Sequence, residues 1–515
     1  YILDCHYAVM LNLDKEEFLL SASSGANYIP LAKSWPADLE TPLTTWLKVG
    51  NEGPSGVLLE SVEGGETIGR WSVVASDPLW KVVVRGDELT RCWRNGKQEK
   101  FHGNPVEILR KMLEPYKSIS LPGLPQLGQL FGMWGYELIQ WIEPSVPTYQ
   151  LSDQDLPDGI WMFMDKILIF DQVKRLITAV AYGNLSDGVS AQKAYEIACE
   201  QINELQELMA SPLKPIKSLK WNQRSNRSID MDFNTSKTEF EQSVEAAKEF
   251  IKQGDVFQLV LSQKLESTVM QNPFELYRSL RMVNPSPFMA FFDFGDWQLI
   301  GSSPEVMVKA QKTEKGIQTS LRPIAGTRPR GKNDLEDSAL EKDLLKDPKE
   351  RAEHVMLVDL GRNDLGRVCI PGSVVVKELM VIEKYSHVMH IVSQVEGTLK
   401  KEKDVWDLLI ASFPAGTVSG APKIRAMQLI NQLEKQRRGP YSGVYGSIDL
   451  NGALNTAITI RTMIVRKKNQ NSFTVEVQAG AGVVADSIPS NEYQETLNKA
   501  KGMFTALACL EPQDL

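Results

Sequence analysis

The spacing of apolar residues predicts a mixed first part of the chain. Short apolar runs typical of strands occupy 57–59, 71–74 and 79–84, while 192–210 carries apolar residues at intervals of three and four. Such short runs indicate strands, whereas intervals of three and four indicate one face of a helix. We therefore predict an N-terminal region of mixed α and β structure.

A change of composition ends this region. Over 211–234, Pro212, Pro215 and several basic, serine and asparagine residues interrupt the apolar spacing. Proline and small polar residues at such density are typical of loops. The sequence therefore predicts an N-terminal region over 1–210, a linker or surface excursion over 211–234, and a second region over 235–515.

A capping-box pattern opens the second region. Ser236 and Glu239 stand just before apolar residues at helical spacing, and a strand-like run follows at 256–263. The side chains of such a pair can each bond the backbone of the other, which fixes the start of a helix. We predict a helix from Ser236 to Gly254 and a strand directly after it.

The last part of the chain has the pattern of hairpins. Strand patterns cover 446–450, 457–465 and 473–484, with an Asn-Gly pair after the first of them, and helical spacing covers 491–507. Asn-Gly is a strong signal for a two-residue hairpin turn, and hairpins join antiparallel strands. We expect an antiparallel sheet followed by a final helix.

Composition and charge exclude several classes of function. Of 515 residues, 42% are hydrophobic, and 65 acidic against 57 basic residues give a net charge of -8. This balance provides no basic field for nucleic acid or an anionic membrane, and no apolar run is long enough to span a bilayer. The cysteines follow no metal-binding spacing, so we expect reduced thiols in the cytoplasm. They are Cys5, Cys92, Cys199, Cys369 and Cys509.

Two pairs of glutamates occupy predicted helices. The range 347–359 is predicted as a helix with an N-cap aspartate, and it carries Glu350 and Glu353 on one face, while Glu492 and Glu495 lie on a polar stripe of the last helix. Two such carboxylates with waters would suit Mg²⁺. Alternatively, Glu350 completes a capping box and the others are solvated charges or ion pairs. Spacing alone leaves both interpretations open.

Three further residues near the C-terminus could bind an anion. Arg461 is predicted on a strand face with Ala457 and Thr459, from which it could contact a carboxylate in bidentate fashion. Gly480 and Gly482 would let a ligand approach a strand backbone closely. An edge-facing arginine and a β-bulge are the alternatives.

Two other segments carry candidate chemistry without deciding it. His387 and His390 are three residues apart, and either could be catalytic or simply packed as a neutral side chain. The Gly- and Pro-containing loop at 417–423 leads into a predicted helix, which suits an anion site but also an ordinary helix start.

Taken jointly, the motifs are far more specific than any one of them. From Ser236 onward the chain closely resembles the chorismate-utilising enzymes, and 58–78 is similar to the matching region of that family. The resemblance implies an α+β fold in which large antiparallel β-sheets pack as a core, helices lie outside, and the site lies between them. The segments that carry it are GDVFQLVLSQ (254–263), GSSPE (301–305), RPIAGTRPRG (322–331), ERAEHVMLVDLGRNDLGRV (350–368), HVMHIVSQVEG (387–397), GTVSGAPKIRAM (416–427), GALNTAITIRT (452–462), QAGAGVVADS (478–487) and NEYQETLNKA (491–500).

Two positions distinguish the activities within this family. Members that add water carry a lysine base where this chain has Gln258, and an amide cannot serve as that base. Members that aminate C4 typically carry a nucleophilic lysine where this chain has Ala325. The resemblance therefore implies amination at C2, which converts chorismate and ammonia to anthranilate and pyruvate. Formation of aminodeoxychorismate, or a non-catalytic tryptophan-binding relative, are the alternatives.

The resemblance also implies a metal and a partner. Mg²⁺ would be held through Glu353 and Glu492, with Glu350 and Glu495 in support. Free ammonia is scarce at neutral pH, and no cysteine lies in a GxCxG-like elbow. A separate glutamine amidotransferase subunit and a hetero-oligomer are therefore expected.

For the reaction itself, the resemblance assigns an acid, a second-step residue and a ring pocket. Glu305 would be the general acid for the departing ring hydroxyl. His390 would assist the elimination of pyruvate. The ring pocket would be lined by Gly326, Thr327 and Thr417.

The enolpyruvyl carboxylate of chorismate would be held by a separate set. Arg461, Tyr441 and the backbone at Gly480 and Gly482 would bind it, and Lys499 would add positive charge.

A tryptophan-inhibitor site is expected away from the reaction. It would comprise Glu60 and Ser61 with Pro287, Phe288 and Met289, and Glu60 would meet the ammonium group of the amino acid. The alternative is that 58–61 is only a core strand that ends in an exposed serine.

Overall fold

Two large antiparallel sheets form the core of this protein. The computed structural model describes residues 14–50, 53, 55–61, 69–214, 218–225, 227–385 and 388–511. Within them, each sheet has 12 strands and the helices lie outside, so the predicted α+β class of fold is confirmed. Cys5 and His387 fall outside the described residues, and the other four cysteines are free thiols.

Both sheets are built from strands spread along the whole described chain. The strands are β1 (Tyr28–Pro36), β2 (Gly56–Glu60), β3 (Trp71–Ser76), β4 (Trp80–Arg85), β5 (Glu88–Trp93), β6 (Gln98–His102), β7 (Leu130–Trp134), β8 (Gly159–Phe163), β9 (Lys166–Asp171), β10 (Leu176–Asn184), β11 (Asp232–Phe233), β12 (Gln258–Val269), β13 (Phe288–Asp293), β14 (Trp297–Ser303), β15 (Val306–Thr313), β16 (Gly316–Leu321), β17 (Ile324–Pro329), β18 (Val375–Lys384), β19 (Val388–Thr398), β20 (Gly420–Ala421), β21 (Val444–Ile448), β22 (Leu454–Ile458), β23 (Thr462–Lys467) and β24 (Phe473–Val483).

The helices are distributed in the same way. They are α1 (Lys15–Ser23), α2 (Pro42–Val49), α3 (Pro105–Leu113), α4 (Ile139–Ile142), α5 (Ala191–Ala210), α6 (Lys237–Lys252), α7 (Pro273–Val283), α8 (Asp334–Lys346), α9 (Pro348–Val368), α10 (Val405–Ser412), α11 (Lys423–Glu434) and α12 (Pro489–Cys509).

The two regions predicted on either side of 211–234 share both sheets. The first sheet runs β1-β10-β9-β3-β2-β13-β14-β23-β24-β12-β11, with β20 beside β12. The second runs β17-β19-β16-β15-β22-β21-β7-β8-β4-β5-β6, with β18 beside β19. Early and late strands meet at β2–β13 in the first sheet and at β7–β21 in the second.

Neighbouring residues on a strand serve two different cores. On β2, Val57 belongs to a cluster that contains side chains of both sheets, whereas Leu58 belongs to a second cluster with Phe18, Trp46 and Phe504 of the covering helices. Successive side chains on a strand point to opposite faces. An uninterrupted apolar run such as 57–59 therefore reflects burial on both faces.

Most local predictions are confirmed. Strands occupy the three predicted N-terminal runs, and Ser236 caps α6 in a reciprocal capping box with Glu239. The helix predicted over 347–359 has its N-cap at Asp347 as expected, but it continues to Val368.

The prediction of a single strand over 457–465 is wrong. The segment forms the end of β22 in the second sheet and the start of β23 in the first, with Arg461 between them in a left-handed conformation of φ 51°. Apolar residues continue through the break because both strands are buried. Arg461 therefore does not share a strand face with Ala457 and Thr459.

A buried carboxylate anchors the loop after α11. Glu137 is 2% exposed, and its two oxygens accept hydrogen bonds from the backbone N–H groups of Arg438 (2.8 Å) and Gly439 (3.0 Å). Burial raises the pKa of Glu137 to about 7, and the Arg437 guanidinium opposes the shift. The carboxyl group is thus more easily protonated in the folded chain than its ordinary pKa of 4.5 would allow.

Replacement of Glu137 by glutamine should change how stability depends on pH. Because the folded-state pKa is raised, the folded form of the wild type binds more protons between pH 4.5 and about 7, and stability is lost as the pH rises through that window. Chemical denaturation should show that the wild type loses roughly 2 kcal/mol more than Glu137→Gln between pH 5 and pH 8. Parallel pH profiles would contradict this, and Glu114→Gln, at an exposed site, is the control.

Candidate active site

One cavity of about 600 Å³ brings the predicted catalytic, substrate-binding and metal-binding residues together. Its walls come from both sheets, from α9 and α12, and from the loops that precede α11 and β21. All of the residues predicted for these three roles line it, and those roles stay predictions. They are Glu305, His390, Thr417, Gly326, Thr327, Tyr441, Arg461, Gly480, Gly482, Lys499, Glu350, Glu353, Glu492 and Glu495.

Two neighbouring crossovers between the sheets carry a carboxyl group and a guanidinium group. Glu305 lies where the chain leaves β14 of the first sheet for β15 of the second, and Arg461 lies where β22 of the second sheet leads to β23 of the first. Backbone hydrogen bonds hold both turns, because Ile458 N–H donates to Glu305 O and Ser302 N–H donates to Arg461 O, each at 3.1 Å. A carboxyl group and a guanidinium group thus meet where the sheets exchange strands.

Glu305 is set up to hold a proton. The Thr417 hydroxyl donates to its Oε2 at 2.9 Å. Burial raises the pKa of Glu305, while Thr417, Lys499 and Arg461 pull it down. A carboxyl group with a raised pKa retains its proton closer to neutral pH, which is what a general acid needs.

Arg461 supplies a buried positive charge. Its Nη1 donates to the Lys499 carbonyl oxygen at 2.6 Å, which leaves other N–H groups of the guanidinium for a ligand. Burial lowers the pKa of Arg461, and the nearby Glu305, Tyr441 and Glu495 oppose that shift. A guanidinium in this environment can bind a carboxylate in bidentate fashion.

His390 is held in one tautomer. Its Nδ1 lies 2.9 Å from Gly326 O and 3.1 Å from Thr327 Oγ1. Because a carbonyl oxygen can only accept, Nδ1 carries the proton and the neutral ring keeps a free lone pair on Nε2. Burial lowers the pKa of His390, which favours that neutral form.

Two glycines leave a length of strand backbone open to a ligand. A Cβ on Gly480 would come within 2.5 Å of the Tyr441 hydroxyl, and one on Gly482 within 2.6 Å of Gln258 Nε2. Opposite them on β12, Ser262 N–H donates to Glu434, and the Gly480 carbonyl accepts from Lys499 Nζ at 2.9 Å. These backbone groups therefore point away from the β12–β24 ladder, which pairs in this stretch without a bulge.

The glutamate pairs of α9 and α12 line the same cavity. Burial and the neighbouring charge of Glu353 raise the pKa of Glu350, and burial also raises that of Glu492. Gln258 Nε2 donates to Glu353 at 3.2 Å, and Lys499 pairs with Glu495 at 2.7 Å. In the described part of the chain, no three His, Cys, Asp or Glu side chains converge as a ready-made metal cage.

Of the alternative interpretations for these glutamates, the structure supports only the ion pair. Asp347 caps α9 by accepting from the backbone N–H groups of Lys349 and Glu350, but the Glu350 side chain does not complete a capping box. Glu492 is only 8% exposed, so it is not a solvated charge. Glu495 does form an ion pair, with Lys499.

The residues predicted for the inhibitor lie at the junction of early and late strands. Glu60 on β2 pairs with Met289 on β13, and its carboxylate accepts from Tyr277 Oη (2.5 Å) and Arg281 Nε (3.0 Å). The Ser61 hydroxyl is buried and has no hydrogen-bond partner among the described residues. Ser61 is therefore not the exposed serine of the alternative interpretation.

Sequence reasoning missed several residues of the cavity wall. Lys349, Gln478 and Asn498 line the cavity, and Arg438 lies behind it. Two of them lie at regular spacing from predicted residues, which was a usable signal. Lys349 precedes Glu353 by one helical turn, and Gln478 shares a strand face with Gly480. Arg438 gave no such signal.

No helix in the described ranges is both long and apolar enough to cross a membrane.

The arrangement agrees with the comparison with known proteins. Residues 59–505 match the family model described as chorismate binding enzyme. The chain therefore belongs to the chorismate binding enzyme family.

Two similar proteins of the family share a name. The chain is 56% identical over 491 residues to anthranilate synthase component 1 of Synechocystis, a match that covers 94% of this chain and 97% of that protein. It is 44% identical over 485 residues to anthranilate synthase component 1 of Acetivibrio thermocellus, covering 93% and 95%. At this level of similarity over nearly the full length, the chain belongs with the anthranilate synthase component 1 proteins.

Solved structures support the fold. Anthranilate synthase component I from Streptococcus pneumoniae superposes with a TM-score of 0.71 at 37% identity, covering 84% of this chain and 92% of that one. The menaquinone-specific isochorismate synthase of Escherichia coli gives a TM-score of 0.66 at 19% identity over 96% and 98%, which supports the fold alone.

Proposed function

We propose that the chain is a lyase that aminates chorismate at C2 and releases pyruvate, leaving anthranilate. The observation that carries this proposal is the meeting of Glu305, Arg461 and the two glutamate pairs in one cavity. The similar proteins named anthranilate synthase component 1 support the same activity.

Chorismate carries two carboxylates, and the cavity offers a distinct environment for each. Arg461, Tyr441 and the open backbone at Gly480 and Gly482 bind the enolpyruvyl carboxylate, with Lys499 adjacent. The glutamate side of the cavity would repel the ring carboxylate unless a cation lay between them. This difference fixes the orientation of the ring.

The donor set on the glutamate side fits Mg²⁺. Burial raises the pKa values of Glu350 and Glu492, and so does the nearby charge of Glu353 on the first and of Glu495 on the second, so a cation bound by these helices would relieve negative charge. Mg²⁺ is commonly held by one or two carboxylates and several waters, which needs no cage of three. Glu353 and Glu492 would hold the ion, with Glu350 and Glu495 beside them, and it would neutralise the ring carboxylate.

In the first step, the nitrogen of ammonia bonds to ring C2 while the ring hydroxyl leaves. Glu305 gives its proton to that hydroxyl oxygen, so that water departs. In the second step, a proton leaves C2, the bond between the ring and the enolpyruvyl oxygen breaks, and the ring becomes aromatic. The departing enolpyruvate takes up a proton at its methylene carbon and becomes pyruvate. The free lone pair on His390 Nε2 suits it to assist that proton transfer.

At the two positions that distinguish the activities of the family, the wall carries neither the lysine base for water nor the nucleophilic lysine. Gln258 donates to Glu353 and cannot act as a base for water, and Ala325 carries no amine. Ammonia therefore attacks, and among the described residues no cysteine lines the cavity to release it from glutamine. We infer a glutamine amidotransferase partner and a hetero-oligomer, in agreement with relatives that are named as component 1.

We further propose that tryptophan inhibits by binding at the β2–β13 junction. The unpartnered Ser61 hydroxyl offers a polar contact there. Glu60 already accepts from Tyr277 and Arg281, and its Oε1, which accepts only from Arg281, keeps a lone pair for the ammonium group of tryptophan. The Pro287, Phe288 and Met289 segment lies beside them, because Met289 pairs with Glu60.

A short route connects this junction to the acid. Tyr445 Oη donates to Phe288 O at 2.7 Å and accepts from Ser303 N–H at 3.2 Å. Ser303 Oγ in turn accepts from the backbone N–H of Glu305 at 3.3 Å. Movement of Phe288 by a ligand would therefore shift the turn that carries Glu305.

Removal of either proposed metal ligand should abolish Mg²⁺-dependent turnover. Glu353→Gln and Glu492→Gln each delete one of the two charges, and we expect anthranilate formation to fall by at least about 100-fold, since even changes behind a metal ligand cost 10- to 100-fold. Calorimetric titration with Mg²⁺ should show weaker binding in both variants. Asp359→Asn, at an exposed position of α9, should behave as the wild type. A folded variant with near-wild-type activity at low Mg²⁺ would refute the assignment.

The nitrogen source and product test the reaction directly. The purified chain with chorismate, Mg²⁺ and an ammonium salt should form fluorescent anthranilate, and glutamine should replace ammonium only after a glutaminase subunit is added. Glutamine-dependent product from the chain alone would argue against a partner. Accumulation of 4-amino-4-deoxychorismate would favour the alternative C4 amination.

Filling the proposed inhibitor pocket should abolish regulation without loss of catalysis. Ser61→Phe should retain basal activity but lose tryptophan binding and inhibition, because the added ring occupies the pocket. Allosteric coupling is typically worth about 1–3 kcal/mol, so the wild type should show an effect of roughly 5- to 150-fold. Ser338→Phe, on the exposed face of α8, is the control. Equal inhibition of Ser61→Phe and the wild type, or no binding to the wild type, would exclude this site.

A further inference from the structure

A buried arginine lies directly behind the wall of the cavity. Arg438 is 1% exposed and does not line the cavity itself. Its guanidinium donates five hydrogen bonds, which uses every N–H it has. The acceptors are Glu434 Oε2 (2.8 Å) and Oε1 (2.6 Å), Val418 O (2.8 Å), Ser442 Oγ (3.0 Å) and Val260 O (2.8 Å).

These contacts reach separate parts of the cavity wall. Val260 on β12 and Val418 both line the cavity, and Val418 directly follows Thr417, whose hydroxyl donates to Glu305. The guanidinium carbon also lies 5.5 Å from the ring centre of Tyr441. One planar group therefore fixes a strand, a turn and an aromatic ring relative to one another.

The partner carboxylate extends the network to a further strand. Glu434 Oε1 accepts from Ser262 N–H (2.8 Å) and from the Ser262 hydroxyl (2.9 Å). Because that hydroxyl gives its only proton to Glu434, it must accept from Gln478 Nε2 at 2.9 Å. Gln478 is thereby oriented on β24, two residues before Gly480.

We propose that Arg438 and Glu434 are a positioning pair that sets the geometry of the chorismate-binding wall through Thr417, Tyr441 and Gln478. A buried ion pair is weak grounds for a role in stability, because apolar replacements of both partners are often neutral or stabilising. We therefore infer that the Arg438–Glu434 pair serves to fix the geometry of the wall rather than to stabilise the fold. The inference rests on the proposed function for the roles of the wall residues.

The decisive comparison is between a conservative single variant and a double variant. Arg438→Lys keeps the charge but loses the planar fork, and Arg438→Met with Glu434→Leu removes both charges together. Each should lower kcat/KM for chorismate on the order of 100-fold, since displacement of binding groups by about 1 Å costs that much. KM for ammonium should stay constant. Arg425→Lys is the control, because Arg425 contacts Gln428 and Asp255, which do not line the cavity.

Stability and direct binding separate the outcomes. A double variant with a wild-type melting temperature but weak chorismate binding by calorimetry would support positioning. Wild-type kcat/KM in either folded variant, an equal rise in both KM values, or failure of both variants to fold would overturn it, the last because the pair would then be needed for the fold itself. If the wild type binds chorismate but forms no anthranilate, the proposed function fails, and the binding measurements still test the pair.

Discussion

The passage of the chain between two stacked sheets is the constraint on which this site depends. A sheet that is buried on both faces has no room for an unpaired charge, since an ion moved into an apolar interior loses its hydration. At the β14–β15 and β22–β23 crossovers the chain passes from one sheet to the other. These two neighbouring turns bring Glu305 and Arg461 close together. Arg461 opposes the rise in the pKa of Glu305, and Glu305 opposes the fall in the pKa of Arg461, so each eases the burial of the other. The reactive centre is thus a consequence of the topology.

The same constraint explains what could be predicted from sequence. The capping box at Ser236 and the residues of the cavity were predictable because they rest on local spacing or on motif resemblance. The break at Arg461 was not, because apolar residues on both sides are buried in different sheets and their pattern continues unchanged through the turn. A non-glycine residue with φ 51° leaves no mark in the sequence. Arg438 was missed because its partners come from distant segments, as with Val260 and Val418.

Hydrogen-bond donors and carboxylates both line the cavity. Arg461 and the backbone at Gly480 and Gly482 present donors, while the glutamates of α9 and α12 present acceptors. Lys499 links the two sets, because its ammonium group contacts both the Gly480 carbonyl oxygen and Glu495. A dianionic ligand can satisfy only the donors directly. Selectivity for an ion and a dicarboxylate together would follow from this arrangement, because each neutralises what the other leaves uncompensated.

The proposed regulation and the proposed catalysis would both depend on one strand pair. β13 contacts the early strands through Glu60 and Met289, and β14 ends directly before Glu305. Tyr445 ties the start of β13 to the end of β14 through Phe288 and Ser303, so these ends cannot move independently. Packed cores shift between discrete arrangements rather than deforming smoothly. A ligand at the β2–β13 junction that favours one arrangement would therefore change the placement of the acid without any contact with the substrate.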